Sequence, residues 1–72
     1  MKDFYYIKFK PIKYDDKPYY LCNGDNIRER PDSIKVFDDL ESVIGYKADK
    51  LSDEAYQGTY MFEYYEMSIE RF

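Results

Sequence analysis

The chain has 72 residues, which is enough for one small domain with a small hydrophobic core. Ten tyrosines and five phenylalanines make 21% of the chain aromatic, and the formal net charge is −4. Because it has no histidine and a single cysteine, Cys22, the composition excludes histidine-dependent catalysis, imidazole-based zinc sites and a disulfide within the 72 residues.

The first residues give no sign of a targeting segment. The start Met1-Lys2-Asp3 is charged and leads into an alternating stretch, which is unlike a secretory signal. No apolar run is long enough to span a membrane. A lone cysteine fits a reducing compartment, so we expect a cytoplasmic protein.

The first predicted element is a strand over residues 3–10. Tyr5, Ile7 and Phe9 alternate with other side chains, and this set is expected to face the core. Pro11 lacks a backbone N–H and is expected to end the strand or to place it at an edge.

A hairpin is predicted to follow. Residues 14–18, Tyr-Asp-Asp-Lys-Pro, have turn chemistry, and residues 19–23 form the returning strand. Asn23-Gly24 is a strong turn signal because both residues accept a positive φ. Residues 25–32 contain one apolar residue, which fits an exposed loop or a frayed strand, and they are assigned as a loop.

The middle of the chain predicts a short strand that leads into a helix. Ile34, Val36 and Phe37 form the apolar patch of that strand. Asp38 is the expected N-cap, with Glu41 completing a capping box. Helical spacing then places four side chains on one side of the helix: Leu40, Val43, Ile44 and Lys47.

Gly45 leaves the length of this helix open. It either ends a two-turn helix as its C-terminal cap or lies inside a longer one at a cost of about 1 kcal/mol relative to alanine. A second helical turn is predicted over residues 52–57, with Ser52 as its cap and Gly58 as its end.

Residues 59–72 are predicted to form the longest strand. This stretch has three tyrosines, two phenylalanines and no glycine or proline. Tyr60, Phe62 and Tyr64 make one face apolar, and the other face becomes apolar after Tyr65, so a bulge is expected near Tyr64-Tyr65. The alternative is a strand with apolar contacts on both faces, one of them with another molecule.

The predicted fold class is therefore α+β, in a single domain over residues 1–72. An N-terminal hairpin and the long C-terminal strand form a small antiparallel sheet, with one or two short helices packed on one face. The other face of the sheet is left open, and function is expected there.

The residue pattern does not predict an enzyme, a metal site or a cofactor site. Three pairs of adjacent carboxylates, Asp15-Asp16, Asp38-Asp39 and Asp53-Glu54, are explained as turn formers or as charges at helix N-termini. The three glycines are scattered and match no phosphate-binding loop. Cys22, on a predicted strand, is expected to be a small core residue.

Charge and aromatic content instead favour binding to a protein. Residues 32–72 carry ten acids against four basic residues, so this half should attract a basic surface. Ten tyrosines exceed what so small a core can hold, and tyrosine is common at protein interfaces. The candidate partner-binding residues are Asp49, Asp53, Glu54, Tyr56, Tyr60, Glu63, Tyr64, Glu66 and Glu70.

A second set of residues is similar to a stacking platform for single-stranded nucleic acid. It combines aromatic and basic residues of the N-terminal half: Phe4, Tyr6, Tyr14 and Tyr19 with Lys2, Lys8, Lys10 and Lys13. The net charge of −4 and the lack of a ribonucleoprotein motif disfavour direct binding of nucleic acid.

In size, acidity and aromatic content, the whole chain resembles the small inhibitors encoded by phages and other mobile elements, including anti-CRISPR and other anti-defence proteins. This resemblance implies a compact α+β domain that binds a host protein, often where that protein holds nucleic acid. No motif carries it, so it assigns no residues.

We therefore expect a non-enzymatic inhibitor that docks on a basic host protein through tyrosines and acids. One alternative is a self-associating structural module, in which the open face or the edge of residues 59–72 pairs with a second copy to form a dimer. Another is a sponge for a nucleotide-like signal, with tyrosines stacked on the base.

Overall fold

The computed structural model describes residues 3–13, 15–30 and 32–72. They form an open antiparallel sheet of four strands in the order β3-β2-β1-β4, with three short helices, which confirms the α+β class. The elements in chain order are β1 (Tyr5–Pro11), β2 (Tyr19–Cys22), a 3-10 turn (Asn23–Asp25), β3 (Asn26–Arg28), α1 (Leu40–Ser52), α2 (Glu54–Gln57), α3 (Tyr60–Tyr64) and β4 (Tyr65–Arg71).

The sheet is organised around β1, which pairs with β2 on one side and with β4 on the other. As predicted, β1 ends at Pro11, and its residues Ile7 and Phe9 are fully buried. Opposite residues of an antiparallel pair share a face, so Ile69 and Met67 join them on the core side.

The three helices lie on that side and close the core. Val43 of α1 is fully buried, and Tyr56 of α2 is 5% exposed. The buried hydrophobic cluster consists of Ile7, Phe9, Leu21, Phe37, Val43, Tyr56, Tyr65 and Met67. Cys22 is also buried, as expected for a small core residue.

Helix α1 begins one residue later than predicted. Its N-cap is Asp39, whose carboxylate accepts hydrogen bonds from the backbone N–H of Ser42 at 2.7 Å and from its hydroxyl at 2.8 Å. The predicted capping box of Asp38 and Glu41 is wrong, because the side chain that caps the helix by accepting from the N–H of Ser42 is Asp39. Gly45 lies inside the helix, so the longer alternative is the one that forms.

The cap of α2 was also assigned one residue too early. Ser52 is the last residue of α1, where its hydroxyl donates to the carbonyl of Ala48. Asp53 is the N-cap of α2, and its carboxylate accepts a hydrogen bond from the N–H of Ala55 at 3.0 Å. Gly58 ends α2, as predicted.

The prediction of one strand over residues 59–72 is wrong in its first half. Thr59 is the N-cap of α3, and its hydroxyl accepts a hydrogen bond from the N–H of Phe62. The strand β4 begins at Tyr65, directly after the helix. The position of the expected bulge near Tyr64-Tyr65 is therefore a helix-to-strand boundary. Like a bulge, this boundary lets the odd-numbered residues after it, Tyr65 and Met67, face the core.

Two further assignments need correction. Residues 25–32 are not all loop, because β3 pairs with β2 through backbone hydrogen bonds that need no apolar side chains. Ile34 and Phe37 form isolated bridges to Cys22 and Tyr5 and no continuous strand. Met1, Lys2, Tyr14 and Pro31, which entered the predicted segments and the stacking set, lie outside the described residues.

The Asn23-Gly24 turn signal is confirmed. Gly24 has a φ of +77° and Asp25 a φ of +59°, which together reverse the chain between β2 and β3. In the part of the chain that the structure describes, no helix is long and apolar enough to cross a membrane.

Candidate functional site

The face of the sheet opposite the helices carries a row of aromatic side chains. The register places Tyr6, Lys8 and Lys10 of β1 on this outer face, because Ile7 and Phe9 point to the core. The opposite residues on β4, Glu70, Ser68 and Glu66, share it. On the other side of β1, Tyr20 lies opposite Lys8 and Arg28 opposite Tyr20.

Three rings form a line across this outer face. The ring centroids of Tyr20 and Tyr6 are 6.3 Å apart, and those of Tyr6 and Phe72 are 4.7 Å apart. Phe72, which directly follows β4, is 65% exposed, while Tyr6 and Tyr20 are half-buried. These separations fit tilted aromatic pairs, so the rings support one another while each keeps some surface in solvent.

Charges of both signs surround the aromatic row. Lys8 Nζ lies 6.0 Å from the ring centroid of Tyr20, and Lys10 Nζ lies 3.7 Å from Glu70 Oε2. The hydroxyl of Ser68 donates to the same Glu70 carboxylate. This hydrogen bond, followed by the charges of Lys10 and Lys8, holds the pKa of Glu70 below its ordinary value.

The same neighbours make Tyr6 a weaker acid. Partial burial of its ring, followed by the negative charge of Glu70 and the nearby Tyr20, raises the pKa of Tyr6. The phenol therefore stays neutral at physiological pH and can donate or accept a hydrogen bond. The outer face therefore combines apolar ring surface with hydroxyl, ammonium and carboxylate groups.

The nine candidate partner-binding residues do not form one surface. Only Glu66 and Glu70 lie on the outer face of the sheet. Glu66 is exposed and has no ion pair among the described residues, whereas Glu70 is paired with Lys10.

Helix α3 brings three of the other candidates together. Tyr60 is 56% exposed, and its ring centroid lies 4.5 Å from that of Tyr64, one helical turn away. Lys13 Nζ lies 5.0 Å from the centroid of Tyr64 and 3.9 Å from Glu63 Oε1. Tyrosine, lysine and carboxylate therefore meet again, on a smaller patch at the end of β1.

The remaining candidates lie around the junction of α1 and α2. Asp49 and Asp53 line a shallow cavity of about 250 Å³, whose other lining residues are Asp25, Tyr46 and Lys50. Asp53 already caps α2, and Glu54 is an exposed residue of its first turn. Tyr56 packs in the core, with its ring 5.8 Å from that of Phe62, so it offers a partner little surface.

Sequence analysis missed Tyr20, Arg28 and Phe72 as members of the outer face. Phe4, Tyr6, Lys8 and Lys10 were grouped together, but the same group contained Tyr19, which lies on the core side opposite Phe9. Alternation shows which residues of one strand share a face. It does not show which parity of a second strand lies beside them, and the missing information is the pairing register.

No group of three or more potential metal ligands occurs among the described residues. No protein-family model, curated protein or solved structure matches the chain.

Proposed function

We propose that this chain is a non-enzymatic protein-binding module that docks on its partner through the outer face of its sheet. The observation that carries the proposal is the line of rings from Tyr20 through Tyr6 to Phe72 on the sheet face opposite the helices, with Phe72 65% exposed. Partly exposed tyrosine and phenylalanine rings on a rigid scaffold bury much area at a small cost in side-chain entropy.

The balance of charge on the outer face favours a protein over a nucleic acid. Three cations, Lys8, Lys10 and Arg28, share the face with two acids, Glu66 and Glu70, and Lys10 is already paired with Glu70. A surface that binds phosphates needs several uncompensated cations, since each one releases condensed counterions from the nucleic acid. This face offers few, and it repels phosphate at its β4 side.

The partner in this proposal is a host protein with a basic surface, and the chain is its inhibitor, of the phage-encoded kind that it resembles in size and composition. The net charge of −4 of the whole chain supports this choice, while the outer face itself, with three cations and two acids, contributes its rings. The net charge would attract a basic surface over a distance of about a Debye length, roughly 8–10 Å at physiological salt.

The test begins with affinity capture by the intact chain and by two variants. Phe72→Ala removes the most exposed ring of the row, 65% exposed, while Tyr60→Ala removes a ring of similar exposure, 56%, on α3 and serves as the matched control. We expect a specific partner to be retained by the wild type and by Tyr60→Ala. With the purified partner, Phe72→Ala should weaken binding by at least about tenfold, as expected for an anchor residue.

Two results would overturn the proposal. Either no protein is captured specifically, or Tyr60→Ala weakens binding as much as Phe72→Ala, which would move the interface to α3. Binding should also weaken as salt is raised, because the contact between an acidic chain and a basic partner is screened.

One observation favours a second function, the nucleotide sponge. Lys8 lies over the Tyr20 ring, so an aromatic platform and a cation are adjacent on the outer face. A nucleotide panel followed by thermal denaturation distinguishes the two functions, since a ligand that binds the folded state raises the midpoint of unfolding. Stabilisation by a nucleotide that Tyr20→Ala abolishes would favour the sponge.

A further inference from the structure

Strand β4 is an edge of the sheet, and no strand in the described part of the chain pairs with its outer side. The N–H of Phe72 donates to the carbonyl of Phe4, and the N–H of Ile12 donates to the carbonyl of Tyr64. In an antiparallel ladder these directions alternate, so even-numbered residues of β4 bond to β1. The N–H and C=O groups of Met67, Ile69 and Arg71 consequently point away from the sheet.

This edge lacks the usual protection against pairing. Edge strands of monomers are commonly blocked by proline, a bulge or an inward-pointing charge. From Tyr65 to Ile69, β4 has no proline or glycine, and its core-side residues Tyr65, Met67 and Ile69 are apolar or aromatic. A charge on that side appears only at the end of the strand, at Arg71.

An apolar surface on α1 overhangs the open edge. Lys47 and Leu51 of α1 line a groove of about 460 Å³ together with Met67 of β4, so this side of the helix faces the edge. Leu40 and Ile44 lie on the same side at helical spacing. Leu40, Ile44 and Leu51 are 46%, 49% and 38% exposed, although they are large aliphatic residues.

The other side of the groove is also apolar and exposed. Ile12, which follows β1, is 56% exposed, and Phe62 of α3 is 39% exposed. An open backbone edge and an apolar surface beside it are therefore placed where a fifth strand and its covering layer would lie. Glu66 also lines the groove, so the groove and the outer face of the sheet meet at this residue.

We propose that a second copy of this chain occupies this position, with the two β4 strands paired antiparallel across a two-fold axis. The pairing joins the two four-stranded sheets into one of eight strands and leaves both helical layers on the same side of it. The exposed sides of the two α1 helices, which carry Leu40, Ile44 and Leu51, then face each other across the axis.

The sequence of β4 is compatible with its own copy in this arrangement. With Ile69 opposite Ile69 of the second copy, Met67 lies opposite Arg71, and Ser68 lies opposite Glu70. No two like charges are directly opposite in this register. Three outward N–H groups from each copy can form six hydrogen bonds between the strands.

The size of the surface also suits a dimer. In this register five residues of β4, 67–71, pair over about 17 Å, and α1 with 13 residues is about 20 Å long. A strand layer and a helix layer of these lengths fit the lower end of the size range of specific interfaces, roughly 600 Å² per copy.

Dimerisation would act on the proposed function without depending on it. The two outer faces would lie side by side on one continuous sheet, and a dimer would bind a repeated or two-fold partner at both faces at once. Such linkage raises overall affinity without a new contact.

Sedimentation equilibrium of the intact chain tests the proposal, with two charge-introducing variants. Ile44→Glu places a carboxylate in the centre of the proposed interface. Val36→Glu is the control, because it introduces the same charge outside the groove at a residue of nearly equal exposure, 48%. We expect the wild type and Val36→Glu to be dimers, and Ile44→Glu to dissociate with a dissociation constant raised about 100-fold. A monomeric wild type at about 100 μM, or equal dissociation of both variants, overturns the proposal.

Amide hydrogen exchange on the wild type provides a measurement that does not depend on how the variants fold. In the dimer the N–H groups of Met67, Ile69 and Arg71 are hydrogen-bonded, so we expect slow exchange at high protein concentration and faster exchange on dilution. Ser68 and Glu70, which bond to β1, should stay protected at both concentrations. A dimer whose Ile69 amide exchanges as fast as an exposed one would be formed through another surface, and the proposal would fail.

Discussion

Replacement of Gly45 by alanine is expected to stabilise the chain. Gly45 lies in the middle of α1, and a Cβ atom built on it meets nothing within 4 Å. The substitution therefore adds no steric conflict, and it removes the entropy cost of glycine in a helix interior. That cost is about 0.5–1 kcal/mol relative to alanine.

The expected change is measurable in a domain of this size. A gain of 0.5–1 kcal/mol corresponds to a rise of about 2–8 °C in the midpoint of thermal unfolding, since about 1 kcal/mol shifts it by about 4–8 °C in domains of 60–100 residues. Circular dichroism at 222 nm follows the transition. Wild type and variant must be compared at one protein concentration, because a dimer makes the midpoint depend on concentration.

Gly24 provides the control with the opposite sign. Its φ of +77° lies in the left-handed region, and a Cβ there would be 3.3 Å from Asn26 Nδ2, which donates to the carbonyl of Asn23. Gly24→Ala should therefore lower the free energy of unfolding by about 1–2 kcal/mol. If Gly45→Ala lowered the midpoint as well, α1 would not be continuous through Gly45, and the helix described here would be wrong.

Three further predictions concern the ends of helices and a buried phenol. Asp39→Ala should lower the free energy of unfolding by about 1 kcal/mol in urea titrations, while Asp38→Ala, which keeps the cap on Ser42, should cost less. Thr59→Ala should reduce stability by a similar amount because it removes the cap of α3, and retention of wild-type stability would contradict that assignment. Burial raises the pKa of Tyr56 to about 12, so the folded state keeps a proton that the unfolded state releases near pH 10. The contribution of this proton to stability is therefore fully present below pH 10 and is lost as the pH rises towards 12. Solvent screening reduces the free-energy equivalent of this shift to about 1 kcal/mol, and Tyr56→Phe should remove this part of the stability loss between pH 10 and pH 12.

The N-terminal hairpin was the most predictable part of the fold. In β1 the alternation of Tyr5, Ile7 and Phe9 with polar or half-exposed neighbours determines the buried face, and Pro11 determines the end. These are local effects of side-chain direction and of a missing N–H. Prediction failed where a strand is held by backbone hydrogen bonds and its side chains give little signal: β3 has a single apolar residue and is held by β2, the strand directly before it.

Residues 59–72 show why strong β propensity can mislead. The preference of tyrosine and phenylalanine for strands is weak and depends on the context of the residue. Thr59 favours a helix more directly, because its hydroxyl accepts a hydrogen bond from the N–H of Phe62 in the first helical turn. The helix also lets Tyr60 and Tyr64 pack on each other at i and i+4. The change of buried parity at Tyr65 was visible in the sequence, but a bulge and a helix end produce the same change.

The candidate site was only partly predictable, because its position depends on composition and on the pairing register of the strands. Sequence composition indicated a surplus of tyrosines, and seven of the nine described ones do keep part of their surface exposed. It did not indicate that Tyr6 and Tyr20 would be neighbours, since this depends on pairing Lys8 with Tyr20 and not with the next residue. A shift of one residue would send Tyr20 to the core and Leu21 to solvent. Burial of Leu21 in the core therefore selects the register, and the aromatic row on the outer face is a consequence of that selection.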